Sequence, residues 1–240
     1  VKQGRWSIVG GWFLQPDCNI PCGESFARHG LLSQRYFLEK LGVTARTGYN
    51  VESFGHNASL PQILKKSGMD NYVFMRPSKE EQGREEEVFY WESADGSRVR
   101  AYRIPELYNI DMKRLSLIEE IKNRADQKDV DRMAFYGVGN HGGGPTIRLL
   151  ERMSKLDVPD LVYSVPDQYF AGLEEKELPV LEGELQHHAR GCYSACSFVK
   201  MSNRKCENHL LAAEKFAMMA RHLTGIRYPK KKLEKAWKNV

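Results

Sequence analysis

The chain has no apolar run near the roughly 18 residues that a membrane span needs, so no transmembrane helix is expected in its 240 residues. It has no basic stripe interleaved with aromatics, which removes the usual footprint of a nucleic-acid binder. No G-K-[ST] follows the three glycines at 142–144, which excludes a phosphate loop. Cysteine is sparse and its count of five is odd. An odd set does not close into a disulfide framework, and reduced thiols point to a cytoplasmic protein. Cys18 and Cys22, and Cys192 and Cys196 near His187 and His188, could hold zinc. Their spacing is not that of a finger or ribbon, and such cysteines are more often small buried groups. There is no initiator methionine, and VKQGRWSIVGGW lacks a signal-peptide layout. The other end stops inside the helix-like KLEKAWKNV. These ends are expected of a piece cut from a longer protein, for which a missing leader says little about location.

What is present is ordinary globular material. The chain is 41% hydrophobic and 28% charged, in the range of domains that bury a core without staples. The net charge of +5 gathers in PKKKLEKAWK, which reads as a solvated helix face. Strand-like and helix-like runs alternate from residue 7 to about 178. SIVGGW (7–12), TGYNV (47–51), DNYVFMRP (70–77), RMAFYGVG (132–139) and LVYSV (161–165) read as strands. VFYWESADGSRVRAYRI (88–104) reads as two strands around the turn signal Asp95-Gly96. Residues 23–42, 60–68, 111–126, 147–156 and 167–175 have helix character, and SKEEQGREEE reads as a charged loop. Such alternation predicts a parallel sheet with crossover helices. From Glu207 the pattern turns purely helical, with Leu210, Ala213, Ala217 and Ala220 on one stripe and a second helix after Pro229.

In sheets of this kind ligands sit at the carboxyl ends of the strands. PDCN, ESFGHN, MRP and NHGGGPT each follow a strand-like run, so all four are expected at one rim. Glu52 there suits a nucleophile, a general base or a metal ligand; its ordinary alternative is a cap or a salt-bridge partner. His56 suits a ligand or, more commonly, a hydrogen-bonded structural group. Asn140 and His141 stand before glycines that permit close backbone approach. Trp12, Tyr90 and Trp91 suit sugar stacking or ordinary core packing. Asp17 and Asn19 suit hydroxyl binding or an Asx-turn. His187 and His188 mark a boundary between two domains. The residues alone give an enzyme-like α/β domain with a polar rim, and no reaction.

Taken together, GGWFLQPDCNIPCGE, GYNVESFGHNASLPQILKKSGMDNYVFMRP, YWESADGSRVRAYRIP, FYGVGNHGGGPT and GELQHHARGCYSACSFVKMSNRKCENHLLAAE resemble glycoside hydrolase family 38, the retaining α-mannosidases, in its bacterial and cytosolic branch. The resemblance implies part of a seven-stranded (β/α) barrel-like catalytic domain over residues 1–188. The start of an all-α three-helix bundle over 189–240 would follow. It implies that Glu52 is the nucleophile and touches a catalytic zinc ion, where relatives carry an aspartate in D-x-F-G. It places the acid/base region at Asn140 and His141, where relatives carry an aspartate. Substrate contacts are expected from Trp12, Asp17, Phe54, His56, Arg76, Trp91 and His188. The remaining zinc ligands are expected outside this chain, which alone would be inactive. The implied partner is a mannoside or oligosaccharide, with no nucleic acid or membrane, and the parent protein could be a homo-oligomer. Two other readings remain, a non-catalytic carbohydrate-binding relative and another glycosidase on a similar barrel.

Overall fold

The computed structural model describes every residue except 2, 4, 5, 129, 140, 141 and 174–176. Its centre is a five-stranded sheet. Helix α1 (Gly23–Leu41) leads into β1 (Thr47–Asn50), and α2 (Leu60–Lys66) carries the chain over to β2 (Asn71–Phe74). Pro61 in the first turn presets the helical φ of α2. The crossover makes β1 and β2 parallel, with Thr47 opposite Asn71. All four residues of β2 are buried, as a strand covered on both faces should be. A short helix, α3 (Lys79–Gln82), precedes β3 (Val88–Glu92) and β4 (Arg98–Arg103). The last two form the expected hairpin around Asp95-Gly96. Helices α4 (Ser116–Lys128), α5 (Ile147–Met153) and α6 (Pro166–Gly172) then lead to β5 (Val180–Glu182). The sheet order is β1-β2-β4-β3-β5. Because β1, β2 and β4 are mutually parallel, their carboxyl ends share one edge.

One face of the sheet packs Tyr72, Phe74, Phe89 and Trp91 against Phe26 of α1 and Leu60 and Leu64 of α2. The other packs Val73 and Tyr102 against Phe170 of α6. A third cluster joins Ile110 to α4 and α5 through Ile118, Ile121, Leu149 and Met153. The remainder is helical: α7 (Gly191–Ser194), α8 (Ser197–Thr224) and α9 (Lys230–Trp237). Leu233 and Trp237 of α9 are buried.

Several expected strands are absent. Residues 7–12 contribute one bridge, Gly10 to Gly48, and 132–139 contribute one, Ile110 to Tyr136. Residues 161–165 are extended with no ladder. A run of β-formers becomes a strand only where another strand offers it a ladder. In 132–139 the alternation instead sends Met133 and Phe135 into the second cluster and Tyr136 into the third. Conversely, β5 and α7 were not foreseen, and the charged segment holds α3, closed by a capping box between Ser78 and Glu81. Among the described residues no helix is long and apolar enough to cross a membrane.

Candidate functional site

Just past β1 the chain turns at Val51–His56, and the turn is tied down from behind. Val51 and Ser53 are buried, while Glu52 between them is exposed. Ser53 Oγ donates to the Pro16 carbonyl at 3.0 Å. Asn50 Nδ2 lies 3.3 Å from Ser53 Oγ, and Asn50 Oδ1 accepts from the Trp12 indole at 2.6 Å. These bonds fix the backbone on both sides of Glu52 and leave its carboxylate facing outward. Burial raises the Tyr49 hydroxyl well above the usual tyrosine range, and the neighbouring Tyr108 and Glu52 add to it. Glu52 and Tyr108 therefore flank the same tyrosine. Tyr108 also lies against Gly139, where an added Cβ would stand 3.1 Å from its ring. Gly139 opens the glycine-rich loop, so that loop begins against Tyr108. Asn140 and His141 themselves lie outside the described residues.

Phe54, two residues after Glu52 in the chain, comes together with Arg76 and His188. The Phe54 and His188 rings meet edge to face at 5.0 Å, and the Arg76 guanidinium lies 5.9 Å from the Phe54 centroid. His188 Nε2 accepts from Arg76 Nη1 at 3.0 Å. Its Nδ1 donates to Glu81 Oε1 at 2.6 Å. Glu81, the capping-box residue of α3, was not among the expected site residues; its S-x-x-E spacing was the available signal.

Three expected contacts belong to the interior instead. His56 is fully buried; Nε2 donates to the Arg76 carbonyl at 2.7 Å and Nδ1 accepts from Tyr72 at 2.7 Å. Burial pushes its pKa down to about 4. It is a satisfied core histidine that holds Arg76 by the backbone, not a group facing substrate. Trp91 has no exposed surface and donates its indole N–H to the Gly183 carbonyl at 2.8 Å, so it offers no face to a sugar. Trp12, 6% exposed, packs its edge on Phe26. Asp17 is exposed, and its Oδ1 accepts from the backbone of Asn19 and Ile20 at 2.8 and 2.9 Å, an Asx-turn.

The PDCN, ESFG and LQHH stretches form one seam. His56 and Leu185 exchange backbone hydrogen bonds at 2.8 and 2.9 Å. Asn19 and Gln186 exchange side-chain amide bonds at 3.0 and 2.7 Å. Gly55 lies directly beneath that pair: a Cβ there would stand 2.1 Å from Gln186 Oε1 and 2.7 Å from Asn19 Nδ2. Glycine is needed at 55 for room.

Among the described residues no group of three or more His, Cys, Asp or Glu side chains could hold a metal ion. Burial pushes the Cys18 thiol up to about 12. Glu52 supplies one carboxylate, which does not make a zinc site.

Residues 1–191 match the family model described as the glycosyl hydrolases family 38 N-terminal domain. The chain belongs to glycoside hydrolase family 38. Residues 187–240 match the alpha mannosidase middle domain. Alpha-mannosidase G of Dictyostelium discoideum is 32% identical over 100% of this chain and 23% of its own length. Human alpha-mannosidase 2C1 is 30% identical over 98% of this chain and 24% of its own length. A solved alpha-mannosidase from Enterococcus faecalis V583 superposes with a TM-score of 0.75 at 21% identity, over 95% of this chain and 28% of that one. A 4-alpha-glucanotransferase from Thermococcus litoralis reaches 0.55 at 16% identity, over 76% of this chain and 29% of that one. These two likenesses show the fold and no reaction. The chain spans about a quarter of the length of the curated relatives it matches.

Proposed function

We propose that this chain contributes the nucleophile-bearing rim of a retaining α-mannosidase, with Glu52 as the nucleophile. The observation that carries the reading is Glu52 exposed at the carboxyl end of β1 between two buried neighbours. In the first step a Glu52 oxygen bonds to the anomeric carbon of a mannoside as the bond to the leaving oxygen breaks, and that oxygen takes a proton from the general acid. In the second, water attacks the same carbon and gives its proton to the acid/base group, and Glu52 departs as carboxylate. His56 holds the backbone of Arg76, whose guanidinium meets Phe54 and His188. Asn140 cannot supply the proton; His141, next to it in sequence, has the chemistry for that role.

The family membership and the relatives' names support a catalytic domain over 1–188 within a seven-stranded barrel and a three-helix bundle beginning at 189. Zinc, if the whole protein uses it, takes most of its ligands from beyond this chain. A cytoplasmic location follows from the free thiols, and a homo-oligomeric parent fits the proposal equally well. One observation favours a second reading, a carbohydrate-binding relative without turnover: glutamate and asparagine stand where the resemblance places two aspartates.

The test uses the full-length protein and an activated aryl α-mannoside. Turnover is expected, and Glu52→Gln should reduce it by about a thousandfold or more while mannose binding persists. A Glu52→Gln protein that keeps most of its activity overturns the nucleophile assignment. Sugar binding with no turnover at any pH supports the second reading.

A further inference from the structure

The Asn19–Gln186 amide pair does more than close a gap. It joins three loops that are far apart in sequence, its members being 167 positions apart. Each amide both donates to and accepts from the other, so flipping one alone would break both bonds. The pair rests on the Cα of Gly55, three residues after Glu52. The Ser53 hydroxyl bond to the Pro16 carbonyl holds the turn before Gly55; the His56–Leu185 backbone bridge and the Asn57 N–H bond to the Cys18 carbonyl at 3.2 Å hold it after. Between these ties the amide pair presses on Gly55 from behind.

We propose that Asn19 and Gln186 are positioning residues that set the height of the Ser53–Gly55 backbone and thereby the reach of the Glu52 carboxylate. The glutamate makes this setting consequential. Its extra methylene, relative to the aspartate of the resembling motif, moves the carboxylate outward by roughly an ångström, and a misplacement of that size costs about a hundredfold in rate. A turn pressed down at Gly55 is a means of compensating for a longer side chain. The inference rests on the reading of Glu52 as the nucleophile.

The experiment uses the full-length protein, with kcat expressed per folded enzyme. Asn19→Leu and Gln186→Leu should each lower kcat about tenfold or more while KM stays within about twofold. Gly55→Ala should do the same, because its methyl displaces the pair. Combining Gly55→Ala with Gln186→Ala should recover part of the kcat lost in Gly55→Ala alone, since the methyl then has room. Hydrogen exchange of the amides at 53–57 should quicken in the single variants while β1–β4 is unchanged. Should the leucine variants not fold, Gln186→Glu keeps the volume and the acceptor, removes one of the two hydrogen bonds, and carries the same comparison. Wild-type kcat in these variants overturns the proposal, as does additive behaviour of Gly55→Ala and Gln186→Ala. If Glu52→Gln retains turnover, the nucleophile reading fails instead. The exchange rates and the thermal stabilities of the Gly55/Gln186 set then still decide whether the pair presses on the turn, and unchanged exchange overturns it.

Discussion

The carboxylate of Glu207 accepts the backbone N–H of Cys22 at 2.7 Å. The two residues belong to α8 and to the residue just before α1, and Glu207 has no exposed surface. Cys22 is the N-cap of α1 and makes no side-chain cap of its own, so α1 is capped by a residue from the far end of the chain. The same oxygen accepts from Ser25 Oγ at 2.6 Å, while the other lies 2.8 Å from Arg204. A carboxylate at a helix N-terminus satisfies orphan N–H groups and complements the dipole.

Glu207→Ala leaves two donors and Arg204 without their acceptor in the interface of α1 and α8. Arg204 is about half exposed and keeps its solvation, so the cost is that of the lost cap and the two unsatisfied donors, about 2–3 kcal/mol. Urea unfolding of the full protein should show a loss of that order. A loss near 1 kcal/mol or less would mean that water replaces the carboxylate and that the two helices are held by other contacts. The Arg28–Glu214 pair is the nearest such contact, with two hydrogen bonds at 3.0 and 2.7 Å beneath the Trp237 ring.

His56 makes stability fall with acidity. Its folded pKa, about 4, lies below the unfolded value near 6.5. The unfolded chain therefore takes the proton first. The neutral ring contributes its full stability above pH 6.5 and loses it progressively between there and about pH 4. The loss amounts to about 3 kcal/mol at the acid end. The stability difference between wild type and His56→Phe should shrink by that amount from pH 7 to pH 4. A difference that stays constant with pH would show that the buried histidine does not titrate as its setting requires.

Much of this fold is legible in the sequence where local signals agree. The run TGYN, then Pro61 and Gly68 around a short helix, then NYVF, reads as a strand–helix–strand unit because each boundary has its own punctuation. Residues 132–139 carry the same alternation, yet no neighbouring strand pairs with them, and ladder partners are not written locally. The short β5 holds one buried residue, Leu181, too little for a periodic signal. At the site, Phe54, Arg76 and His188 follow from the motifs that carry them. The Asn19–Gln186 pair joins two stretches with no mutual signal in the chain. Trp91 fails for another reason: an aromatic alternating along a strand looks the same whether its face meets the core or the solvent.

Trp91→Phe separates those two roles. The variant loses the hydrogen bond to Gly183 and part of a fully buried ring, a cost of about 2–3 kcal/mol in stability. Since the ring has no exposed face, kcat/KM of the folded full-length enzyme should stay within about twofold of wild type. A selective rise in KM with stability unchanged would return Trp91 to the sugar-binding surface.

Two glycines of the 137–144 segment should respond differently to the same added methyl. At Gly139 a Cβ would stand 2.7 Å from Asn109 Nδ2 and 3.1 Å from the Tyr108 ring. At Gly144 nothing lies within 4 Å, and neither position has a left-handed φ. Gly139→Ala must therefore displace Asn109, Tyr108 or the backbone at 139, where the glycine loop begins. If the loop supplies the acid/base, a shift near 1 Å should lower kcat about a hundredfold, while Gly144→Ala stays close to wild type. Equal activities for the two variants would separate this loop from the chemistry, because the contact at Gly139 distinguishes one methyl from the other.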